Sequence, residues 1–320
     1  MSVIPIAAGL CLVALLFAPH LLPRAALRPG SGIALFLAAL TLRAAVVLSV
    51  AVMAVLALPS TSAFGELSGW CLHTVLPFIS AHLGLDGHAV GHAAVLAPAG
   101  LVIAMLAGAG LGTWRASREV RGWLRSSSIG SGPGGSLIVG GSEIVLATAG
   151  IRRPQVVVSA GALMSLDDGE LCAGLEHEYG HLRRGHRFIS LVAVPLHACS
   201  RALPGSSLVF EQMQFHLERD ADEYALRRTN DPNGLAGAIV KAASPHGVTS
   251  VMHGLGGSAV ADRIRAIQLG ASGPLALKLS AGVLTASLTT ASLAVLLSVP
   301  LIVAGTPLDA GSPFGNLFGC

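Results

Sequence analysis

Four apolar runs, at about 2–19, 31–58, 93–113 and 279–304, constrain this 320-residue chain more than anything else in it. A helix rises ~1.5 Å per residue, so roughly 20 apolar residues cover the ~30 Å hydrocarbon core of a bilayer. The composition agrees: 52% of residues are hydrophobic, 12% are charged and the mean hydropathy is +0.70, too apolar for an ordinary soluble domain. Run 2–19 has no convincing small-residue cleavage site, and its basic residues, Arg24 and Arg28, come after it. It reads as a retained span and not a signal peptide.

The 20 Lys and Arg residues orient the spans. Apart from Arg43 they lie at Arg24 and Arg28, at Arg115 to Arg125, and between Arg152 and Lys278; 59–92 and 305–320 hold none. The positive-inside rule then puts 59–92 and the tail outside and 114–278 in the cytosol. The expected organisation is three transmembrane helices in 1–113 with external loop 59–92, a basic strip and flexible linker at 114–136, a domain at 137–278, a transmembrane helix at 279–304 and a short external tail at 305–320. The tryptophans and arginines of the strip suit a headgroup boundary, and SSSIGSGPGGS at 126–136 has linker composition. Arg43, inside the second run with no acidic residue in any span to pair with it, is expected to snorkel to the headgroups.

Within the cytosolic region, SLIVGGSEIVLATAG and QVVVS (155–159) read as short strands, and the latter is a plausible edge for binding an extended substrate. Asp167 followed three residues later by Glu170 forms a capping signal for a helix that carries His177-Glu178-Tyr179-Gly180-His181. Positions i and i+4 share a helix face, so His177 and His181 can present nitrogens to one metal while Glu178 lies beside the open coordination position. A second helical stretch, Glu218-Arg219-Asp220-Ala221-Asp222, supplies a carboxylate. Two histidines and one carboxylate around a water are the ligand set for Zn2+ in peptide hydrolysis. Glu211, His216, Asp220 and Glu223 are alternative third ligands, while His186, five residues after His181, falls off the ligand face by helical phase. Residues 188–210 are apolar but too few for two crossings, and a single crossing would part His181 from Glu218; a surface-lying or re-entrant piece is expected.

HEYGH followed by Glu218-x-x-Ala221-Asp222-x-x-Ala225 resembles the membrane gluzincins, the BlaR/MecR sensor type and the HtpX type, over about 137–270. The resemblance implies an α+β zincin-like metallopeptidase domain with His177, His181 and Glu218 as zinc ligands, Glu178 as general base and Asp222 as the carboxylate behind a ligand histidine. It also implies a residue near the end of the domain that stabilises the tetrahedral intermediate, for which His253 and Arg263 are candidates. Three spans before the domain and one after it look more like the BlaR/MecR arrangement; HtpX-type chains carry further apolar segments between the zinc ligands.

The function expected is a zinc endopeptidase of a bacterial plasma membrane, cutting proteins or peptides at the cytoplasmic face. A transcriptional repressor is the substrate implied by signalling of the BlaR/MecR kind, and misassembled membrane proteins by quality control of the HtpX kind. The lipid bilayer is the other partner, and direct nucleic-acid binding is not expected. A non-proteolytic, zinc-stabilised receptor is the alternative from a different class. External His73, His82, His88 and His92 and the cysteines read as ordinary scattered residues.

Overall fold

The computed structural model describes residues 3–21, 27–57, 87–150, 154–243, 257–269 and 275–305. External loop residues His73 and His82, the 305–320 tail beyond Gly305, and His253 lie outside them. Helix α1 covers Val3–Phe17, α2 Pro29–Ala57 and α3 Gly87–Ser127. Strands β1 (Ser128–Ser131), β2 (Leu137–Val139), β3 (Leu146–Ala149) and β4 (Gln155–Ser159) follow, with α4 (Ala160–Ser165) and α5 (Asp168–Arg183). Helices α6 (His186–Ser200), α7 (Ser206–Thr229), α8 (Pro232–Ala242), α9 (Gly257–Leu269) and α10 (Leu275–Gly305) complete the chain.

Two helices among the described residues are long and apolar enough to cross a membrane, over Pro29–Met53 and Leu279–Ser298. The 15 residues of α1 reach only about 22 Å at ~1.5 Å each, short of a hydrocarbon core. Helix α3 does not stop at 113 but runs unbroken through the basic strip to Ser127. The expected flexible linker is ordered as well: β1 pairs antiparallel with β2, and the Tyr179 hydroxyl donates to the Gly134 carbonyl. Gly134 holds a left-handed φ of 66°, where a side chain would be strained. The sheet therefore begins at Ser128, not at 137.

Strand order is β1-β2-β4-β3, with β2 and β4 parallel and β3 and β4 antiparallel. β4 is thus central, paired on both sides, and cannot offer the edge expected of 155–159. The outer strands are β1 and β3. Val156 and Val158 of β4 pack with Leu166 and Leu175 beneath α5, which seats the HEYGH helix on the sheet. The capping box forms as its residues predict: Asp167 accepts from the Glu170 amide at 2.8 Å and Glu170 accepts from the Asp167 amide at 2.9 Å.

Helices α6 and α7 make a hairpin after the HEYGH helix, and its second arm carries Glu218-Arg219-Asp220-Ala221-Asp222. The first half of α7 buries Val209, Met213 and Leu217 in the same apolar cluster as Leu35, Phe36, Leu40 and Leu42 of α2. The second half buries Ala225 with Ala173 of α5 and Leu235 of α8. One helix therefore belongs to both the apolar bundle and the α+β unit. It runs antiparallel along α2, with Arg219 donating to Leu27 O at 2.8 Å, His216 stacked on Phe36, and Ser206 beside Arg43.

Arg43 overturns the snorkelling expectation. It is 2% exposed. Its guanidinium donates to Pro204 O and Leu16 O, each at 2.7 Å, and to His20 Nε2 at 3.0 Å, and it has no ion pair among the described residues. Leu16 and His20 flank the end of α1, and Pro204 is in the α6–α7 turn, so this one cation ties three segments to the middle of α2. The turn reaches about 21 Å along α2 from Pro29, counting 14 residues at ~1.5 Å each. The α6–α7 hairpin therefore packs along α2 as far as Arg43, which fits the re-entrant alternative and not the surface-lying one.

Candidate metal centre

The site is made where α5 and α7 touch, and the touch depends on two small residues. A Cβ at Gly180 would sit 3.1 Å from the Ala221 Cα and 3.2 Å from its carbonyl oxygen. A side chain at 180 would have to push the two backbones a few tenths of an ångström apart, and Ala221 opposite keeps the gap narrow. His177 and His181 project from α5 on either side of that contact, and Glu218 projects from α7 one turn before Ala221.

The three expected ligands converge. His177 Nε2 and His181 Nε2 are 3.2 Å apart; Glu218 Oε2 lies 3.4 Å from the first and Glu218 Oε1 3.5 Å from the second. They are the one group of metal-capable side chains among the described residues. A tetrahedral zinc with bonds of ~2.0–2.1 Å sets its ligand atoms about 3.3–3.4 Å apart. The triangle thus has the edge length of one face of such a tetrahedron, and the chemistry of the donors, two imidazoles and a carboxylate, fits zinc.

The surrounding groups are specific to each ligand. His177 turns Nδ1 to Asp222 Oδ1 at 2.9 Å, as the resemblance implies for Asp222. Arg263, from α9, donates to both Asp222 oxygens at 2.7 and 2.9 Å and lies 3.0 Å from Glu218 Oε2. Its N–H groups face the two carboxylates and hold them in place. Glu178 Oε2 accepts from Thr148 Oγ1 at 2.9 Å, so a residue of outer strand β3 fixes the carboxylate next to the metal triangle. Thr148 carries no sequence signal.

Burial disfavours the charges on Glu218 and Asp222, yet Arg263 and the histidines outweigh it and hold Glu218 well below the usual carboxylate range and Asp222 below its own. Burial likewise works against protonated His177, but hydrogen bonds to Asp222 and Glu218 and the Asp222 charge overcome it, raising its pKa to about 10. For His181 burial wins over the attraction of Glu218, and its pKa is lowered. Burial also lowers the Arg263 pKa, but the charges of Asp222 and Glu218 dominate and raise it.

His186 is off the ligand face as expected, yet it is only 3% exposed, with Nδ1 2.9 Å from His181 Nδ1 and Nε2 3.0 Å from Asp220 Oδ2. Among the alternative ligands, Asp220 is held by His186 and Arg184, His216 lies against Phe36, Glu223 pairs with Arg227, and Glu211 is exposed. Only Glu218 joins the triangle. No family model matches the chain, and neither any curated protein nor any solved structure is similar to it.

Proposed function

We propose that the chain is a zinc-dependent endopeptidase, integral to a bacterial plasma membrane, that cuts proteins at the cytoplasmic face. The observation that carries this reading is the His177–His181–Glu218 triangle, whose 3.2–3.5 Å edges suit zinc, with Glu178, a carboxylate outside the triangle, near enough for its charge to act on His181 and Arg263. A purely structural zinc site has no use for such a base and closes its fourth position with Cys or His.

Zinc held by His177, His181 and Glu218 would polarise the scissile carbonyl and make water acidic enough to lose a proton near neutral pH. Glu178, steadied by Thr148, takes that proton and later gives it to the departing amine nitrogen, one side chain serving as base and then acid. Asp222, 2.9 Å from His177 Nδ1, faces that nitrogen and leaves Nε2 as the one a zinc ion would take on displacing its proton. Arg263 acts as a positioning residue for Glu218 and Asp222, because its guanidinium is already bonded to both. An extended substrate would lie along the outer edge of β3, where Thr148 meets Glu178, with its backbone hydrogen-bonding to the strand.

The membrane part of the reading rests on the two long apolar helices and on the Lys/Arg distribution. Exposed apolar side chains on α10 (Leu279, Val283, Leu293) and on α6 (Phe188, Val192) would face lipid. For its biological use, quality control has one observation in its favour: residues 188–210, in α6 and the start of α7, form an apolar segment between the zinc ligands, the trait that the resemblance attaches to the HtpX type and not to repressor-cleaving sensors.

Glu178→Gln tests the mechanism, since it keeps shape and polarity but removes the base. Zinc content should stay near one per chain while hydrolysis of a membrane-reconstituted protein substrate falls by at least ~10²-fold; His181→Ala should lose metal and activity together. If Glu178→Gln cleaves as fast as wild type, the protein is better read as a zinc-stabilised receptor.

A further inference from the structure

His186 and Asp220 form a hydrogen-bonded line into the back of His181, and nothing in the reading above uses it. His181 Nε2 faces the metal triangle, so the ring can bind a cation only when that nitrogen carries no hydrogen; a neutral ring must then carry it on Nδ1. The partner of Nδ1 is another ring nitrogen, His186 Nδ1 at 2.9 Å, and two such atoms allow the hydrogen to sit on either. Asp220 removes that ambiguity. Its Oδ2, 3.0 Å from His186 Nε2, can only accept, so His186 carries hydrogen there and offers Nδ1 as an acceptor. His181 must then donate from Nδ1. Arg184, donating to Asp220 Oδ1 at 2.8 Å, keeps the carboxylate in place, and His186 and Asp220 are both buried, away from competing water.

We infer that His186 and Asp220 are positioning residues that lock His181 in the metal-binding tautomer, a second device parallel to Asp222 behind His177. This rests on the zinc reading, and the two ligand histidines then differ in kind: His177 is backed directly by a carboxylate, His181 by a carboxylate acting through an intervening ring. Such backing partners commonly change metal affinity by about 10- to 100-fold.

The test compares near-isosteric Leu and Asn at position 186 in the full chain in detergent, with zinc affinity read by competition against a chromophoric chelator and geometry by the visible spectrum of the Co2+-substituted protein. Asn can put its carbonyl oxygen where His186 Nδ1 was; Leu cannot accept. His186→Leu should bind zinc about 10- to 100-fold more weakly with a shifted Co2+ spectrum, while His186→Asn stays within about threefold of wild type. Should the Leu variant fail to fold, His186→Gln, whose amide reaches towards Asp220 and not towards His181, takes its place and should be weak in the same way. Equal zinc affinity for Asn and the paired variant, in a wild-type background that binds zinc, overturns the inference alone. A wild-type chain that takes up no zinc overturns both the inference and the reading beneath it.

Discussion

Helix α7 carries one polar site at its start and another past its middle, and the two sites are built on opposite principles. At Glu218 and Asp222, buried charges face one another: Arg263 answers both carboxylates, and His177 answers them from α5. At Ser206, by contrast, Arg43 is a buried cation with two main-chain carbonyls, an imidazole and a hydroxyl around it. Pairing charge with charge lets protons and metal ions exchange, because neutralising one member leaves the others partnered. A lone guanidinium held by carbonyl dipoles offers nothing to exchange, and it costs a great deal to remove. The first arrangement suits chemistry and the second suits a fixed clamp between α1, α2 and the hairpin turn.

The largest effect should come from attacking the clamp. Arg43→Leu leaves Leu16 O and Pro204 O without donors in an apolar interior, at about 1–3 kcal/mol for each orphaned group. Together with the lost charge-assisted bonds, thermal unfolding of the full chain in detergent should register a loss of about 3 kcal/mol or more, over a hundredfold in the folding equilibrium. Zinc affinity of the folded fraction should not move, since Ser206 and Glu218 are about 18 Å apart along α7 at ~1.5 Å per residue and distant sites behave additively. A stable Arg43→Leu chain would mean that water reaches the carbonyls, and a drop in zinc affinity would mean that the two sites are coupled.

Next in size is Asp222→Ala, which removes the acceptor behind His177 and one of the two carboxylates on Arg263. Zinc affinity should weaken by roughly 10- to 100-fold. Unchanged metal content and activity would take Asp222 out of the site and leave Glu218 as the one group that Arg263 needs to hold.

The same contrast explains how much could be read from the sequence. His177, His181 and Asp167 with Glu170 declare themselves because their partners lie three or four residues away, a distance that helix geometry fixes. Glu218 needs only the ERDAD pattern on a second helix. Arg43 is bound by groups 23, 27, 161 and 163 residues away, and no local pattern encodes that. His186 is off the ligand face as helical phase requires, but phase does not give its contact: Gly185 takes a left-handed φ of 66° and starts α6 in a new direction, bringing His186 to the back of His181. Gly185 after two arginines was the available signal of that break. The central place of β4 also left a trace, since Val156-Val157-Val158 is a continuous apolar run of the kind buried on both faces and not an alternating one. β1 left none, because a Ser/Gly-rich strand pairs through its backbone and looks like a linker.

The smallest expected effect is the pH dependence of the Glu218 site. In the metal-free chain His177 is protonated up to about pH 10, whereas His181, with its lowered pKa, is neutral near pH 7 and Glu218 is already ionised. Zinc must therefore displace one proton, from His177, so its association constant should rise about tenfold per pH unit between roughly pH 7 and 9.5 and level off above 10. Chelator competition across that range measures the slope. The stability linkage runs in the opposite sense: a folded-state pKa raised from 6.5 to about 10 stabilises the metal-free fold fully below pH 6.5, and that stabilisation is lost as pH climbs through 10. Alkaline pH should then weaken the empty site while strengthening its hold on metal. A slope of two would show that His181 also enters protonated, and a slope of zero that His177 is neutral before the metal arrives, leaving Asp222 as a hydrogen-bond acceptor to a neutral ring and not as the counter-ion of a charged one.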